Sequence, residues 1–458
     1  MPIQRSRGGC HTCKKRKRKC DETRPECRAC QSRGNTCGGY DLQLRWNSSY
    51  PSPTAITVAE RSEGILVNNR DEELRLRDTG LMQSSSLSTP CTVVGDHADE
   101  VEQQAFQRFL SSGVHALYAT TINAWIKPLI AEHSRNSSAL LIVCANIQIL
   151  IEEGSSLQFH SHFDRALKIF QVELFASNGA IKPPTLGAGL LLCTLSLLQG
   201  LQWTQHLLCM ADLYDLRGDL NGLRIERDMY TRHCLEVMGV MDLPNLVLGR
   251  HTQCMGFWKR LRKVQDRWSH YDMDGVEPIS GIPRSLLDIC ARIDEPAADS
   301  RFWLWQGVIG EFTQCHLWDA WRFAGMLDHR RRWRPSSVGA THPPTGVILP
   351  SSTQLMFRLL SALDALRIGL KQKENSHMLV ANATLYPWFV ASTEVGILNE
   401  YPSWMSATEQ LRDDLLASDS SQNSRILMEL VSDIHQSPDQ SLDIERSLLA
   451  KSVEIALF

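Results

Sequence analysis

Six cysteines near the start of the chain, Cys10, Cys13, Cys20, Cys27, Cys30 and Cys37, constrain its fold more than any other feature. The gaps between them are two, six, six, two and six residues. The pattern CxxCx6C therefore occurs twice. Inside the first copy, Lys14, Lys15, Arg16, Lys17, Arg18 and Lys19 fill every position between Cys13 and Cys20. Six adjacent cations repel one another, and such a run ordinarily belongs to a basic tail or an import signal. Cysteines at both ends imply that something forces this run into a shape.

Two cysteines two residues apart can hold one metal ion from a single turn of backbone, and a third cysteine further on closes the site from another side. Two tetrahedral zinc ions need eight ligand places, and six thiolates supply eight only if two of them are shared. The repeat selects the first cysteine of each half, so Cys10 and Cys27 are the expected bridges. Six thiolates and two Zn²⁺ leave a charge of minus two, which the neighbouring cations help to offset. Metal ligation at Cys13 and Cys20 would hold the basic run as a short helix, with several cations on one face suited to phosphates and base edges of DNA.

At these residues the sequence resembles the fungal Zn(II)2Cys6 binuclear cluster family of transcription regulators. The likeness runs from Cys10 to Cys37 and includes Arg16, Lys17, Lys19 and Asp21 in an RKxKCD-like core, with Pro25 between the halves. It implies two Zn²⁺ sharing six cysteine thiolates and a short helix in the major groove, commonly reading a CGG-type triplet. Carried over by position, the base contacts fall on Arg16 and Lys17. Phosphate contacts are then expected from Lys14, Lys15, Arg18 and Lys19. Lys14 stands where the family commonly has arginine, and Arg18 where it is often apolar. Rival explanations of the cysteines lack support: His11 has no partner for a Cys2His2 finger, and no apolar signal segment in residues 1 to 30 favours disulfides. Metal storage leaves the basic run unexplained.

The chain has 458 residues and a formal net charge of −3, which conceals an asymmetry. Residues 1 to 45 hold twelve Lys and Arg against four Asp and Glu, so the first tenth carries +8 and the remainder −11. Attraction to nucleic acid is concentrated there. The other eight cysteines have no paired spacing, and they read as buried thiols of a reducing compartment. From Asp41 to about Glu100, stretches such as NSSYPSPT and MQSSSLSTP read as a flexible linker, and ILVNNRDEELRLRD has too few apolar positions for a coiled coil.

Beyond Glu100 the apolar period is helical. Phe106, Phe109, Leu110, Val114 and Leu117 share one face; so do Phe159, Phe163, Ala166, Leu167, Phe170 and Leu174, and later Met356, Leu359, Leu360, Leu363 and Leu370. Ser138 to Ile151 and Leu186 to Leu198 are apolar nearly all round yet too short to span a bilayer, and read as central core helices, the second begun by Pro183 and Pro184. The stretch FDRALKIFQ, the core helix leading into LQGLQWTQHLLCMADLYD and the later YPWFVASTEVG together resemble the helical regulatory region of zinc-cluster regulators. The likeness covers most of residues 100 to 410 and implies an α-helical domain with regulatory roles. The expected architecture is mainly α: a Zn2Cys6 module over 1–45, a disordered linker over 46–99 and a large all-α regulatory domain over 100–458.

Other chemistry-bearing stretches have plainer readings. GFWKRLRKVQDRW (256–268) reads as an amphipathic helix with Phe257, Leu261, Val264 and Trp268 inward and its cations solvated, and HRRRWRP (329–335) as a solvated helix end. His160 and His162 offer no third ligand nearby. The aromatic group Trp303, Trp305, Trp318, Trp321 and Phe323 reads as core, and is the first place to seek a small effector. Residues 401 to 450 carry nine acidic residues against three basic ones, mixed with leucines, as solvated helices or a segment that recruits transcription machinery. Nucleophile elbow, HExxH, dinucleotide and phosphate-loop motifs do not occur. The chain is therefore read as a nuclear, non-enzymatic regulator of RNA polymerase II transcription whose partner is double-stranded DNA, with no membrane partner and homodimerisation left open. The alternative is a small-molecule sensor or enzyme-like helical domain with an accessory zinc module.

Overall fold

The computed structural model describes residues 10–16, 18–21, 23, 27–37, 98–119, 125–176, 182–220, 228–265, 275–333, 348–372, 375, 383–419, 421–436 and 444–458. Residues 46–97 of the linker stretch, the coiled-coil candidate within it, Lys17, Pro25 and Trp268 lie outside them. The chain divides into two compact units, residues 1–91 and 92–458. In the first, two short helices, α1 (His11–Lys15) and α2 (Arg28–Gln31), flank a group of buried cysteines.

The second unit is helical almost throughout. Its first part runs α3 (Glu100–Ser111), a 3-10 turn (Gly113–Leu117), α4 (Ile126–Ser134), α5 (Ser138–Glu153), α6 (Leu157–Ala176), α7 (Pro183–Leu198), α8 (Thr204–Leu213) and α9 (Met229–Met241). After β1 (Val247–Leu248) come α10 (Phe257–Gln265), α11 (Arg284–Cys290), α12 (Ala298–Leu304), α13 (Phe312–Arg332) and α14 (Ser352–Leu370). The remainder is α15 (Leu385–Thr393), α16 (Val395–Glu400), α17 (Pro402–Ser418), α18 (Gln422–Gln436), α19 (Ile444–Lys451) and β2 (Ile455–Ala456). No described helix is long and apolar enough to cross a membrane.

The two all-apolar segments are central helices, as expected. Ser137 caps α5 by accepting from the Leu140 amide at 3.0 Å, Gly154 ends it at a positive φ, and α5 is packed against α3, α6 and α7. Proline occupies the first turn of α7, where its missing N–H costs nothing, and the helix then packs against α5 and α9. All six apolar residues assigned to the inner face of α6 are buried. The first assigned stripe is interrupted: α3 stops at Ser111 and the chain tightens into the 3-10 turn. The turn opens at Gly113, held so close to α5 that a Cβ there would lie 2.1 Å from Gln148 Oε1.

Several cations expected to be solvated are tied down instead. On α10, Arg262 pairs with Asp288 at 2.9 Å, Lys259 with Glu295 at 3.3 Å, and Arg260 donates to the Leu216 and Gly218 carbonyls. Phe257, Leu261 and Val264 do face inward. At the end of α13, Arg331 and Arg332 hold the buried Asp328 at 2.7 and 3.1 Å, and Arg330 holds Asp299. In the acidic C-terminal stretch Leu411, Leu415, Leu427 and Leu430 are packed into the core, whereas Leu416 and Leu449 are exposed, so one face of its helices is structural.

The chain end is clamped. β2 pairs antiparallel with β1, Val247 opposite Ala456 and Leu248 opposite Ile455, and the Asn423 side chain brackets Ala456 with two bonds of 2.9 Å. The buried Glu454 carboxylate accepts from the Trp203 and Thr204 amides that open α8, at 2.7 and 2.8 Å, and from His251 N–H at 2.8 Å.

Candidate metal centre and nucleic-acid interface

The six cysteines of the first unit converge as two overlapping sets of four. The sulfurs of Cys10, Cys13, Cys20 and Cys27 lie within 4.8 Å of one another, and so do those of Cys10, Cys27, Cys30 and Cys37. Cys10 and Cys27 belong to both sets and are fully buried, which places the bridges where the repeat put them. Sulfur separations of 3.5 Å (Cys10 to Cys27), 3.7 Å (Cys10 to Cys30) and 3.8 Å (Cys13 to Cys27) are far too long for disulfides. They match the edge of a zinc–thiolate tetrahedron, about 3.8 Å for Zn–S bonds of about 2.3 Å. The donor set therefore fits two Zn²⁺ sharing six thiolates.

The internal repeat is visible bond by bond. Cys10 N–H donates to Cys20 Sγ at 3.3 Å, and Cys27 N–H to Cys37 Sγ at 3.4 Å. Cys13 N–H donates to Cys10 Sγ at 3.4 Å, and Cys30 N–H to Cys27 Sγ at 3.2 Å. Arg18 N–H reaches the Cys13 carbonyl at 3.0 Å, as Asn35 N–H reaches that of Cys30 at 3.0 Å. Backbone amides aimed at sulfur stabilise thiolates and orient them. Burial away from water pushes the Cys10 thiol up to about 12 and raises those of Cys13 and Cys27 as well. Binding a divalent metal there must therefore expel protons from these thiols.

The basic run is not one helix, contrary to the expectation from its sequence. α1 covers Lys14 and Lys15, Arg16 lies in the turn that follows, and Arg18 and Lys19 run without regular structure to Cys20. Closure of the tetrad is the reason. A continuous helix would separate residues 10 and 20 by about 15 Å, whereas Cys20 Sγ sits against the Cys10 amide. Lys15, Arg16, Arg18 and Lys19 are all exposed. Arg16 also donates through Nη1 to Asn35 Oδ1 of the other half, and Thr12 Oγ1 donates to the Thr36 carbonyl at 3.0 Å.

Asp21 has a structural part that spacing alone did not reveal. Its carboxylate accepts from Thr23 Oγ1 at 2.5 Å and from the Ala29 and Arg28 amides at 3.0 and 3.1 Å, so the first half caps the helix of the second. These bonds, that of Thr23 foremost, hold its carboxyl at about 2. Exposed Arg28 and Arg33 add charge in the second half. The only hint was an acid placed directly after six cations and a cysteine.

Elsewhere, one sequence expectation changes and another holds. His162 does have carboxylates nearby: Glu102 at 3.0 Å, with Asp99 in the same group. Arg165 pairs with both acids, so a guanidinium already supplies the positive charge there. The aromatic group is core, not a pocket: the indole N–H groups of Trp318 and Trp321 donate to the Gly281 and Ala383 carbonyls at 2.8 and 2.7 Å, and that of Trp305 to Ser285 Oγ. A partly open cavity lies beside α5, α7 and α9.

Residues 8–47 match the family described as "Fungal Zn(2)-Cys(6) binuclear cluster domain". Among curated proteins, the chain is 52% identical over 42 residues to pestheic acid cluster transcriptional regulator 3 of Pestalotiopsis fici, covering 9% of this chain and 7% of the relative. It is 64% identical over 36 residues to the aspercryptin biosynthesis cluster-specific transcription regulator of Emericella nidulans, covering 8% and 6%. A longer match, 30% over 121 residues, joins it to the transcriptional regulatory protein moc3 of Schizosaccharomyces pombe, covering 22% and 24%. The chain thus spans less than a quarter of the length of each of these relatives. No solved structure matches it.

Proposed function

We propose, from a chain whose residues 8–47 form a fungal Zn(2)-Cys(6) binuclear cluster domain, that the protein is a nuclear, sequence-specific regulator of transcription by RNA polymerase II. The module over 1–45 docks on double-stranded DNA, residues 46–99 link, and the helical domain over 100–458 regulates. One observation carries this reading: two overlapping cysteine tetrads hold a stretch in which Lys15, Arg16, Arg18 and Lys19 all stand exposed. Such a surface supplies phosphate neutralisation, and arginine and lysine at its centre match guanine O6 and N7 in a CGG-like triplet. Lys14, Lys15, Arg18 and Lys19 take phosphates, and Arg16 and Lys17 approach the bases. The names of the relatives above, all regulators of transcription, support the same reading.

Selection of bound sequences from random DNA tests it. The zinc-loaded chain should enrich a short G·C-rich triplet, and substitution of all six cysteines by serine should abolish enrichment. Lys17→Ala should cost about 1–3 kcal/mol on the selected site and relax discrimination at one base pair. An equal loss on random DNA would show that Lys17 only positions the module.

A further inference from the structure

Within the basic run, Arg16 is fastened across the module to the second half: its Nη1 donates to Asn35 Oδ1. Asn35 is itself held at two points. Its backbone N–H donates to the Cys30 carbonyl at 3.0 Å, and its Nδ2 to the Arg33 carbonyl at 3.1 Å. The chain turns back to this position through Gly34, whose φ of 64° glycine adopts at little cost. With Nδ2 engaged by a carbonyl, the amide oxygen is the end turned to Arg16, and only an oxygen can accept from a guanidinium. Cys30 belongs to one of the two cysteine tetrads, so a path of bonds runs from a metal-binding residue through Asn35 to the tip of Arg16. Lys15, Arg18 and Lys19 are equally exposed, and their side chains make no bond among the described residues. That freedom suits cations that follow phosphates, whereas a fixed one suits a single base.

We propose that Asn35 is a positioning residue for base recognition: it fixes the guanidinium plane of Arg16 so that the Nε and Nη2 edge reads one guanine. A guanidinium carries five N–H donors in a planar fork, and Asn35 engages only Nη1. The Nε and Nη2 edge makes no bond among the described residues, and two parallel donors of this kind match guanine O6 and N7. An untethered arginine must give up rotamer freedom when it grips a base. One already held has lost part of that freedom beforehand, so more of the contact appears as discrimination. The inference rests on the proposed DNA reading and adds to it a residue from the half of the module that lacks the basic run.

Fluorescence anisotropy of the full zinc-loaded chain tests this, on the site selected from random DNA and on single-base variants of that site. Asn35→Leu, close in size but without an acceptor, should lower discrimination at one base pair by about fivefold or more, with the salt slope and the zinc content unchanged. Asn35→Asp keeps the acceptor and should retain the parent's discrimination while binding every sequence more weakly. In an Arg16→Ala background, Asn35→Leu should change discrimination no further, since the two residues act through one contact. Unchanged discrimination in zinc-loaded Asn35→Leu, or additive losses in the double variant, would overturn the inference and leave the DNA reading standing. A parent chain that prefers no sequence would overturn both. Where Asn35→Leu fails to load zinc, Asn35→Asp decides: discrimination kept supports the tether, and discrimination lost overturns it.

Discussion

At the scale of single residues, the account separates cations that reach outward from groups that hold the module together. Arg18 is exposed and belongs to the first kind. Arg18→Ala should weaken DNA binding by a similar factor on all sequences and lower the slope of log affinity against log salt by about 0.9, measured by fluorescence anisotropy at several ionic strengths. Asp21 belongs to the second kind, because it caps α2 from the opposite half. Asp21→Ala should therefore release zinc at lower chelator concentration, and Asp21→Asn, which keeps an acceptor oxygen, should lie between it and the parent. The sign of its pH dependence is fixed by the depression of its carboxyl to about 2. The stabilisation is complete above about pH 4, the unfolded carboxylate value, and disappears only as pH falls through about 2. Acid release of zinc at milder pH should track protonation of the thiolates, with the same midpoint in the parent and in Asp21→Asn once their affinities are normalised.

At the scale of elements, sequence reasoning succeeded where a period or a spacing carries the information. The cysteine repeat assigned the shared sulfurs of Cys10 and Cys27, and all-round apolarity identified α5 and α7 as central helices. It failed where the deciding contact is distant in sequence. Nothing local in the basic run says that the helix must end near Lys15, because the demand comes from Cys20 returning to Cys10. Nothing in GFWKRLRK says that its cations meet Asp288 and Glu295, and nothing at His162 announces Glu102, sixty residues earlier. The cavity was missed for a related reason: tryptophans advertise themselves in a sequence, whereas a void is made by what surrounds it. One distant pair offers a test. Arg284 grips Glu236 through two bonds of 2.7 and 2.8 Å, both side chains nearly buried, with Gln265 adding a third bond to the carboxylate. Arg284→Ala leaves that charge without its counter-ion and should lower stability by about 3–5 kcal/mol in urea denaturation.

At the scale of the whole molecule, the described residues of the first unit are packed around cysteines, whereas the second unit is built on a large apolar core. The first has cysteines where a core would be, and so few residues cannot ordinarily fold without a metal or a cross-link. The second has its own continuous packing and a clamped chain end. The electrical asymmetry follows the same division, with +8 in the first 45 residues and −11 in the rest. Each unit thus has its own source of stability, and the metal belongs to the smaller one. The central claim is that six thiolates hold two metal ions by sharing Cys10 and Cys27. Native mass spectrometry of the intact chain tests it most directly: the account predicts two zinc ions per polypeptide, and a count of one, or of three, would contradict it.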